Sequence, residues 1–476
     1  MSAAAQAPTR PAEDVARWRE EYESFRASLP ATEPEWLRAL RAAGIGAFEE
    51  TGFPTLKHED WRHTSVAPIV RTRFARAGSA VGGVDRAALD ALVFGRAFHG
   101  HQLVFVNGRY APDLSSAPMA DGVQPHSQVG AGVQPSSQAV AAVQIRSLRD
   151  VLDRQPQLVE PYLDRQAAGP GRPFSALNSA FLHDGAFVSI PAGQVLVDPI
   201  HLAFFSTAGP GGPTVSHPRV LVRAGRNSQA AVVESYGGTV GARYFTNEVS
   251  EVVLEDGAVL EHYRLQQESL DAFHVGTLCV SQGRATRFTS HAVSLGSALS
   301  RVDIRQVFAG EGGECVLNGL FLGEDSQHTD THTWVDHAHP HCSTRELYKG
   351  IVDDRARGVF VGRILVRPGA QKTDAIQNNK NLILSREALV DSLPQLEILA
   401  DDVKCKHGST TGQLDPLALF YLRSRGIGEE AARALLTYAF ASDVVQRIGI
   451  EAVRVGLTEH LQRRLPAAAD IQEAAV

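Results

Sequence analysis

The chain has 476 residues, ordinary aliphatic and aromatic content and a formal net charge of -7. This length predicts two or three structural units with a substantial core, and the negative charge argues against a nucleic-acid-binding surface spread over the molecule. The sequence has neither a secretory signal nor an apolar run long enough to span a membrane, so we expect a cytoplasmic protein without membrane contact.

Residues 1–110 are predicted to form an N-terminal helical region. Trp18 and Phe25 follow one face of a helix, and a further helix is predicted over residues 84–94, VDRAALDALVF. The segment FPTLKHEDWRHT between these helices mixes proline with polar residues, which is typical of a connection. We expect this connection to dock through Trp61.

Residues 111–173 are predicted to be a flexible low-complexity insertion and linker with one short helix. This stretch contains GVQPHSQVGA followed directly by GVQPSSQAVA, a near-duplicate rich in small and polar residues. Such a composition cannot bury enough apolar surface to offset the entropy lost on ordering. A ligand-binding role is therefore not expected there.

Residues 174–414 have the alternating sequence pattern that is typical of β-strands. Segments such as PRVLVRAGRNSQAAVVESY alternate apolar and polar residues around a glycine-centred turn. Turn glycines at 225, 257, 283 and 312 recur at intervals of 32, 26 and 29 residues. A loose repeat of strand, turn and strand predicts stacked coils. The predicted fold is mainly β, a right-handed parallel β-helix flanked by helical regions, with a jelly roll as the alternative.

Residues 415–476 are predicted to form a C-terminal helical domain. Asp415 followed by Pro416 is typical of a helix N-terminus, and Gly426 of a helix end. Helices that follow a solenoid are expected to cap its open end, to dock a partner, or to do both.

Near the end of the β-region the chain reads VKCKHGSTTGQL. In a strand, Cys405 and His407 share one face, while Lys404 and Lys406 lie on the other. Two ligands cannot close a tetrahedral zinc site, so the pair is either part of a larger site or a buried thiol beside a core histidine. Cysteines at 279, 315, 342 and 405 match no disulfide framework and no CxxC pattern, and reduced thiols are expected.

The densest polar cluster is the His-rich segment, residues 328–342. On a strand, His337, His339 and His341 would share a face beside Cys342, and three imidazoles can bind Zn or Fe. The competing interpretation is a structural or interface role for these side chains. An autonomous metal-binding enzyme on a β-solenoid is thus the alternative function. The sequence contains no GxxxxGK phosphate loop, GxSxG elbow or HExxH motif, so ATP hydrolysis by this chain is not expected.

More than 80 nearly continuous residues, from ELYKGIVDDRARG to KCKHGSTTGQLDPLALFYLRSRGI, resemble the C-terminal core of the SufB/SufD family. These proteins are scaffold components of the Suf machinery for iron–sulfur cluster assembly. FPTLKHEDWRHT and FSALNSAFLHDGAFVSIPAG extend the resemblance to about residues 15–460, apart from the GVQP segment. KCKHGSTTGQLD is similar to the SufD branch, and Ala388 stands where the SufB branch carries a cluster-building cysteine.

The resemblance implies a non-catalytic scaffold subunit with two kinds of partner. It implies pairing with a SufB-like subunit through the β-helices, and docking of a SufC-like ATPase on the C-terminal helices. Apolar candidates for the ATPase contact are Leu419, Phe420, Leu435 and Phe440. A homodimer is the alternative assembly in the absence of a SufB-like subunit.

The resemblance also implies where the chemistry occurs. His407 matches the histidine at the SufB interface of SufD-like proteins, where the nascent cluster forms, and Cys405 is a secondary candidate in the same motif. A transient iron–sulfur cluster is expected in the complex, with no tightly bound cofactor or constitutive metal on the isolated chain. Whether a flavin binds the complex is left open.

Overall fold

The structure is a computed structural model that describes residues 11–77, 84–90, 92, 100–116, 142–169, 171–209 and 211–465. The GVQP repeat lies outside these residues, as does the end of the helix predicted at 84–94. The helices are α1 (Pro11–Ala27), α2 (Glu35–Thr51), α3 (Ala67–Arg71), α4 (Arg86–Asp90), α5 (Leu148–Arg154), α6 (Pro173–Ala180), α7 (Pro416–Ser424), α8 (Glu429–Val445) and α9 (Glu451–Arg464). Single turns of 3-10 helix cover Glu59–Trp61, Pro112–Leu114 and Pro156–Leu158.

The strands belong to two stacked sheets, between which they alternate along the chain from Arg219 onward. They are β1 (Ala75–Arg76), β2 (His101–Val106), β3 (Arg109–Tyr110), β4 (Gln144–Ser147), β5 (Gly185–Ile190), β6 (Ile200–Ser206), β7 (Thr214–Ser216), β8 (Arg219–Ala224), β9 (Gln229–Gly238), β10 (Tyr244–Leu254), β11 (Val259–Gln267), β12 (Phe273–Gln282), β13 (Arg287–Ser294), β14 (Leu299–Phe308), β15 (Glu314–Gly323), β16 (His328–His337), β17 (Ser343–Val352), β18 (Arg357–Val366), β19 (Asp374–Ile383), β20 (Leu389–Ile398) and β21 (Lys404–Gly412).

Apart from β3 and β4, which pair antiparallel, these strands form a two-sheet parallel β-solenoid. The first sheet has the order β20-β18-β16-β14-β12-β10-β8-β5-β4, and the second has β21-β19-β17-β15-β13-β11-β9-β6-β2-β3. Each coil contributes one strand to each sheet, which gives about eight coils from β5 and β6 to β20 and β21. The predicted mainly β solenoid with helical regions at both ends is confirmed. A jelly roll is excluded because its sheets are antiparallel.

One turn repeats the same backbone geometry in each described coil from β5 and β6 to β18 and β19, and the coils are joined through it. Seven residues there adopt positive φ, between 53° and 74°: Gly193, Asn227, Gly257, Ala285, Gly312, His341 and Lys372. The N–H of each donates to the carbonyl oxygen of the residue just before its counterpart in the following coil, at 2.7–3.2 Å. The glycine spacing seen in the sequence reflects this repeat, although only Gly257 and Gly312 of the predicted set occupy the left-handed position.

The N-terminal helices pack on the outer face of the first sheet. Trp18 and Phe25 of α1 are buried there, as is Trp61, which confirms the predicted docking of the connection. The Arg301 guanidinium lies 3.7 Å from the centre of the Trp61 ring and donates to the Asp330 carboxylate at 2.8 Å. A buried cation stacked on an indole and paired with a buried carboxylate fixes this segment to the solenoid.

Two predicted boundaries differ in the structure. The stretch FSALNSAF, assigned to the β-core from residue 174, lies in helix α6 for most of its length, and the solenoid strands begin with β5. The N-terminal region contains strands as well as helices, since β2 extends the second sheet beside β6. Proline at the first position of α6 favours a helix start. Ser175 and Asn178 can be buried in this helix because their side chains form hydrogen bonds within the core.

The C-terminal helices cover the outer face of the second sheet. Ala441 and Val445 of α8 and Leu457 of α9 are buried against outward-facing residues of that sheet, such as Leu320 and Ile351. Of the expected alternatives, capping of the solenoid end is not what the described helices do, because this apolar lateral face is the surface that they bury. No helix in the described ranges combines the length and the apolar character needed to cross a membrane.

Candidate functional site

The solenoid ends at an open coil formed by β20 and β21. Each is the last strand of its sheet, and within the part of the chain that the structure describes no strand pairs with its outer edge. Since the C-terminal helices lie on the lateral face, they leave this coil uncovered. Unpaired edge N–H and C=O groups are a surface on which another chain can add strands.

Cys405 and His407 lie on the interior-facing side of β21. Cys405 is in register with Ala375, and His407 with Gln377, both of which are fully buried inside the preceding coil. Without a further coil above them, Cys405 is half-buried against the core and His407 is exposed. The exposed Lys404 and Lys406 lie on the opposite face, as strand alternation predicts. The two side chains therefore stand at the mouth of the solenoid interior.

The floor of this mouth is polar and fully buried. Gln377 Nε2 donates to Glu346 Oε2 at 2.8 Å, and Thr333 Oγ1 donates to the same oxygen at 3.1 Å. Beside them, Ser392 of β20 donates to Asn379 Oδ1 at 2.7 Å and lies 2.7 Å from the Ser409 hydroxyl of β21. The last coil is thus joined across its two sheets by hydrogen bonds, with His407 above the Gln377 amide.

The electrostatics of this region favour neutral groups. Burial raises the pKa of the Glu346 carboxyl to about 7, because the hydrogen bonds from Gln377 and Thr333 only partly offset the loss of water. Partial burial also raises the pKa of the Cys405 thiol, and the nearby Asp374 carboxylate adds to this effect. In the isolated chain Cys405 is therefore a thiol rather than a reactive thiolate at neutral pH.

The His-rich segment does not form the shared face that the sequence predicted. Strand β16 ends at His337, and His341 adopts a positive φ of 59° in the following turn. His337 points into the core, where burial lowers its pKa to about 4, and its Nε2 lies 2.9 Å from the Thr344 hydroxyl. His339 is exposed in the turn, and Cys342 is buried with its Sγ 3.5 Å from a backbone carbonyl oxygen.

The other histidines of this segment face outward from the first sheet. His328 Nε2 lies 2.8 Å from the Thr64 hydroxyl, and His332 Nε2 lies 3.1 Å from an Asp330 oxygen. Among the residues described, no group of three or more His, Cys, Asp or Glu side chains is placed to hold a metal ion. The metalloenzyme alternative requires three imidazoles on one strand face, and β16 ends too early to provide that face.

The four cysteines are free. Burial raises the pKa of Cys279 to about 12 and raises the pKa of Cys315 and Cys342 as well. Ala388 lies in the turn before β20, buried in a small apolar cluster with Phe321 and Val352 among its members. The chain thus has no thiol at that turn.

Comparisons with known proteins assign the chain to a family. Residues 204–440 match the model described as SUF system FeS cluster assembly, SufBD core domain, and residues 127–202 match the SufBD protein N-terminal region. The chain is 33% identical over 440 residues, covering 90% of this chain and 91% of the relative, to an iron–sulfur cluster assembly SufBD family protein of Synechocystis. It is 31% identical over 423 residues, covering 88% and 91%, to the iron–sulfur cluster assembly protein SufD of Escherichia coli.

The chain belongs to the SufB/SufD family. Within this family it is SufD-like, and its function lies in iron–sulfur cluster assembly. The resemblance seen in the sequence is confirmed, and it extends over most of the chain.

A second surface of this SufD-like protein is the exposed side of α7. Leu417, Phe420 and Tyr421 are 77%, 72% and 57% exposed and recur at helical spacing. Of the four predicted apolar contact residues, Phe420 lies on this surface, which we call the α7 face. Leu419 and Phe440 instead pack against the buried core under the helices, and Leu435 lines a shallow groove on α8.

The sequence reasoning missed Gln377 and Glu346 at the site, and Leu417 and Tyr421 on the α7 face. The β19 sequence AIQNNKN carries no apolar alternation on its interior side, so Gln377 was not recognisable as buried. The coil period was the usable signal, because Gln377 precedes His407 by 30 residues and follows Glu346 by 31.

Proposed function

We propose that this protein is a scaffold subunit of a Suf-type complex, and that a nascent iron–sulfur cluster forms as cargo where its open coil meets a SufB-like subunit. The observation that carries the proposal is the position of His407, exposed at the mouth of an unpaired terminal coil. A partner that adds strands to β20 and β21 would bring its own interior-facing residues against His407.

The chemistry fits a shared site rather than a complete one. An imidazole can bind iron or accept a proton, and a single histidine with one half-buried thiol supplies too few ligands for a stable metal site. The remaining ligands would come from the SufB-like chain, including the thiolate that accepts sulfur. Cys405 has a secondary role, because its raised pKa keeps it protonated until a partner changes its surroundings.

The test replaces His407 with alanine in the complete complex. We expect His407→Ala to retain both partners on co-purification, because the side chain is exposed. Cluster assembly in cells should fall by about 10-fold or more, the usual cost of losing a metal ligand or proton-transfer group. Lys406→Ala is the matched control, an exposed neighbour on the opposite face of β21. Unimpaired assembly by an intact His407→Ala complex would contradict the proposal.

A second contact is proposed for a SufC-like ATPase at the α7 face. Monomeric proteins rarely leave clustered large apolar side chains in water, and three such residues on one short helix match the apolar centre of a protein interface. This contact is independent of the open coil, since α7 follows β21 and leads away to the lateral helices. Nucleotide hydrolysis would belong to that partner.

A further inference from the structure

Directly below His407, two long polar side chains lie in the solenoid interior and leave oxygen atoms without partners. Glu346, Gln377 and His407 occupy one column, because each is in register with the next across β17, β19 and β21. Gln377 is joined to Glu346 through its Nε2 at 2.8 Å. Gln377 Oε1 and Glu346 Oε1 are both buried, and neither has a hydrogen-bond partner in the structure.

The opposing sheet is shaped to accept the Gln377 side chain. A Cβ added to Gly362 of β18 would lie 2.3 Å from Gln377 Nε2, so any larger residue at position 362 would displace the amide. A buried amide oxygen without a donor is unfavourable, because it has lost its hydrogen bonds to water and gained none in return. Gln377 Oε1 is therefore a hydrogen-bond acceptor that is held in place without a donor. The next residue of the column toward solvent is His407.

We propose that Gln377 is a positioning residue for His407, with Glu346 as its anchor. In-register residues of neighbouring parallel strands lie about 4.8 Å apart, so a ring N–H of His407 can donate to Gln377 Oε1. The other side chains on that face of β21 are less suitable acceptors for the His407 N–H. Ser409 already bonds to Ser392, and Cys405 is a weak acceptor.

The consequence is chemical as well as structural, and it rests on the proposed role of His407. An imidazole that donates one N–H to a carbonyl oxygen is held in one tautomer and one orientation, with its second nitrogen directed away. At the mouth of the solenoid that second nitrogen points toward the partner, where it can bind iron or accept a proton. Glu346 keeps the Gln377 amide from rotating, because Gln377 Nε2 is held by its carboxyl oxygen.

The test reads the tautomer of His407 directly in the isolated full chain. Histidine is labelled with nitrogen-15, the ring signals are recorded by two-bond nitrogen–proton NMR, and His407→Gln assigns them. We expect a single predominant tautomer in the wild type, a mixture of both in Gln377→Leu, and retention of the single tautomer in Gln377→Glu, which keeps an acceptor oxygen. Gln306→Leu is the matched control, since Gln306 is an equally buried interior glutamine of β14 with its own unpaired Oε1. It should leave the His407 signals unchanged.

Freely exchanging tautomers in wild-type His407 would overturn the inference without any variant, so a poorly folding Gln377→Leu chain does not block the test. In cells, Gln377→Leu should lower cluster assembly about 10- to 100-fold, as loss of a supporting hydrogen bond to a metal-binding histidine does. A fixed tautomer with unimpaired assembly in His407→Ala would contradict the proposed function and leave the positioning intact. Impaired assembly in His407→Ala with an unchanged tautomer in Gln377→Leu would support the proposed function and contradict positioning by Gln377.

Discussion

Two buried carboxyl groups show how neighbouring side chains decide the charge of a residue in this solenoid. Asp330 lies beside His332 and the Arg301 guanidinium, and although burial alone would raise its pKa, these neighbours hold it well below the usual range. Glu346 receives only neutral hydrogen bonds, and burial raises its pKa to about 7. The first carboxyl group is therefore an ion that secures the N-terminal segment, whereas the second is largely neutral below pH 7.

The raised pKa of Glu346 predicts a pH-dependent contribution to stability. A glutamate with a pKa of 4.5 in the unfolded chain and about 7 in the folded chain binds its proton more tightly when folded. Its contribution is fully present below pH 4.5 and is lost as the pH rises through 7, a change of about 3 kcal/mol. Glu346→Gln should therefore become more stable relative to the wild type between pH 5 and pH 8, as measured by urea unfolding.

The control for this prediction is Glu397→Gln. Glu397 is exposed on β20 and pairs with Arg363 at the surface, so its replacement should change stability by less than about 1 kcal/mol at either pH. Parallel pH profiles for the wild type and Glu346→Gln would show that Glu346 does not titrate near neutral pH.

At the scale of single elements, the turn that follows β16 explains the His-rich segment without a metal. His341 occupies the left-handed position that other coils fill with asparagine, glycine, alanine or lysine, and its N–H donates to Gln371 O at 2.9 Å. The turn requires a residue with positive φ at this position, and it does not require an imidazole side chain there. Glycine adopts this conformation without the Cβ clash that other residues incur.

His341→Gly should accordingly stabilise the protein by roughly 0.5–1 kcal/mol and leave cluster assembly unchanged. Thermal or urea unfolding measures the first effect, and the cellular assay measures the second. His339→Gly is the control, because His339 is exposed in the same turn but is not among the residues with positive φ. It should be neutral or destabilising. Lost assembly in His341→Gly would restore a functional role for the imidazole.

The α7 face gives a prediction for a helix that contributes little to folding. Leu417 and Phe420 are mostly exposed, so replacing both with alanine should change the free energy of unfolding by less than about 1 kcal/mol. The same double variant should weaken retention of a SufC-like ATPase by at least about 10-fold, because each buried apolar side chain contributes roughly 1.5–3 kcal/mol. Co-purification and a titration of the two purified proteins measure this loss.

Val455→Ala is the control for the α7 face. Val455 is an apolar residue of α9 that is 45% exposed, and its replacement should affect neither stability nor ATPase binding. Normal ATPase binding by the Leu417 and Phe420 double variant would place the contact elsewhere on the C-terminal helices.

For the whole molecule, the sequence predicted the architecture better than it predicted the site. The glycine-centred repeat is sufficient to indicate stacked coils, because the turn geometry recurs from β5 and β6 through to β18 and β19. It does not reveal which strand face points inward: in β19 the buried interior residues are Gln377 and Asn379, whereas Leu382 faces outward and packs under the C-terminal helices. Which face of a strand carries the apolar residues depends on what covers each sheet, and a local sequence pattern does not contain that information.

The placement of the helices predicts an uneven stability along the solenoid. Helices cover the outer faces of the central coils, whereas β20 and β21 have an open edge and no buried side chain. Local opening is easier where fewer apolar contacts must break. Amide hydrogen exchange followed by mass spectrometry should therefore be at least about 10-fold faster in residues 404–412 than in residues 244–267.

Adding a SufB-like partner should slow exchange in residues 389–412, because strand addition pairs the open edge, and should leave residues 244–267 unchanged as an internal control. An added SufC-like ATPase should instead slow exchange in α7. The two partners thus leave distinguishable patterns on one chain. Equal exchange in residues 404–412 and 244–267 of the free chain, or protection of the central coils by the SufB-like partner, would contradict pairing through the open coil.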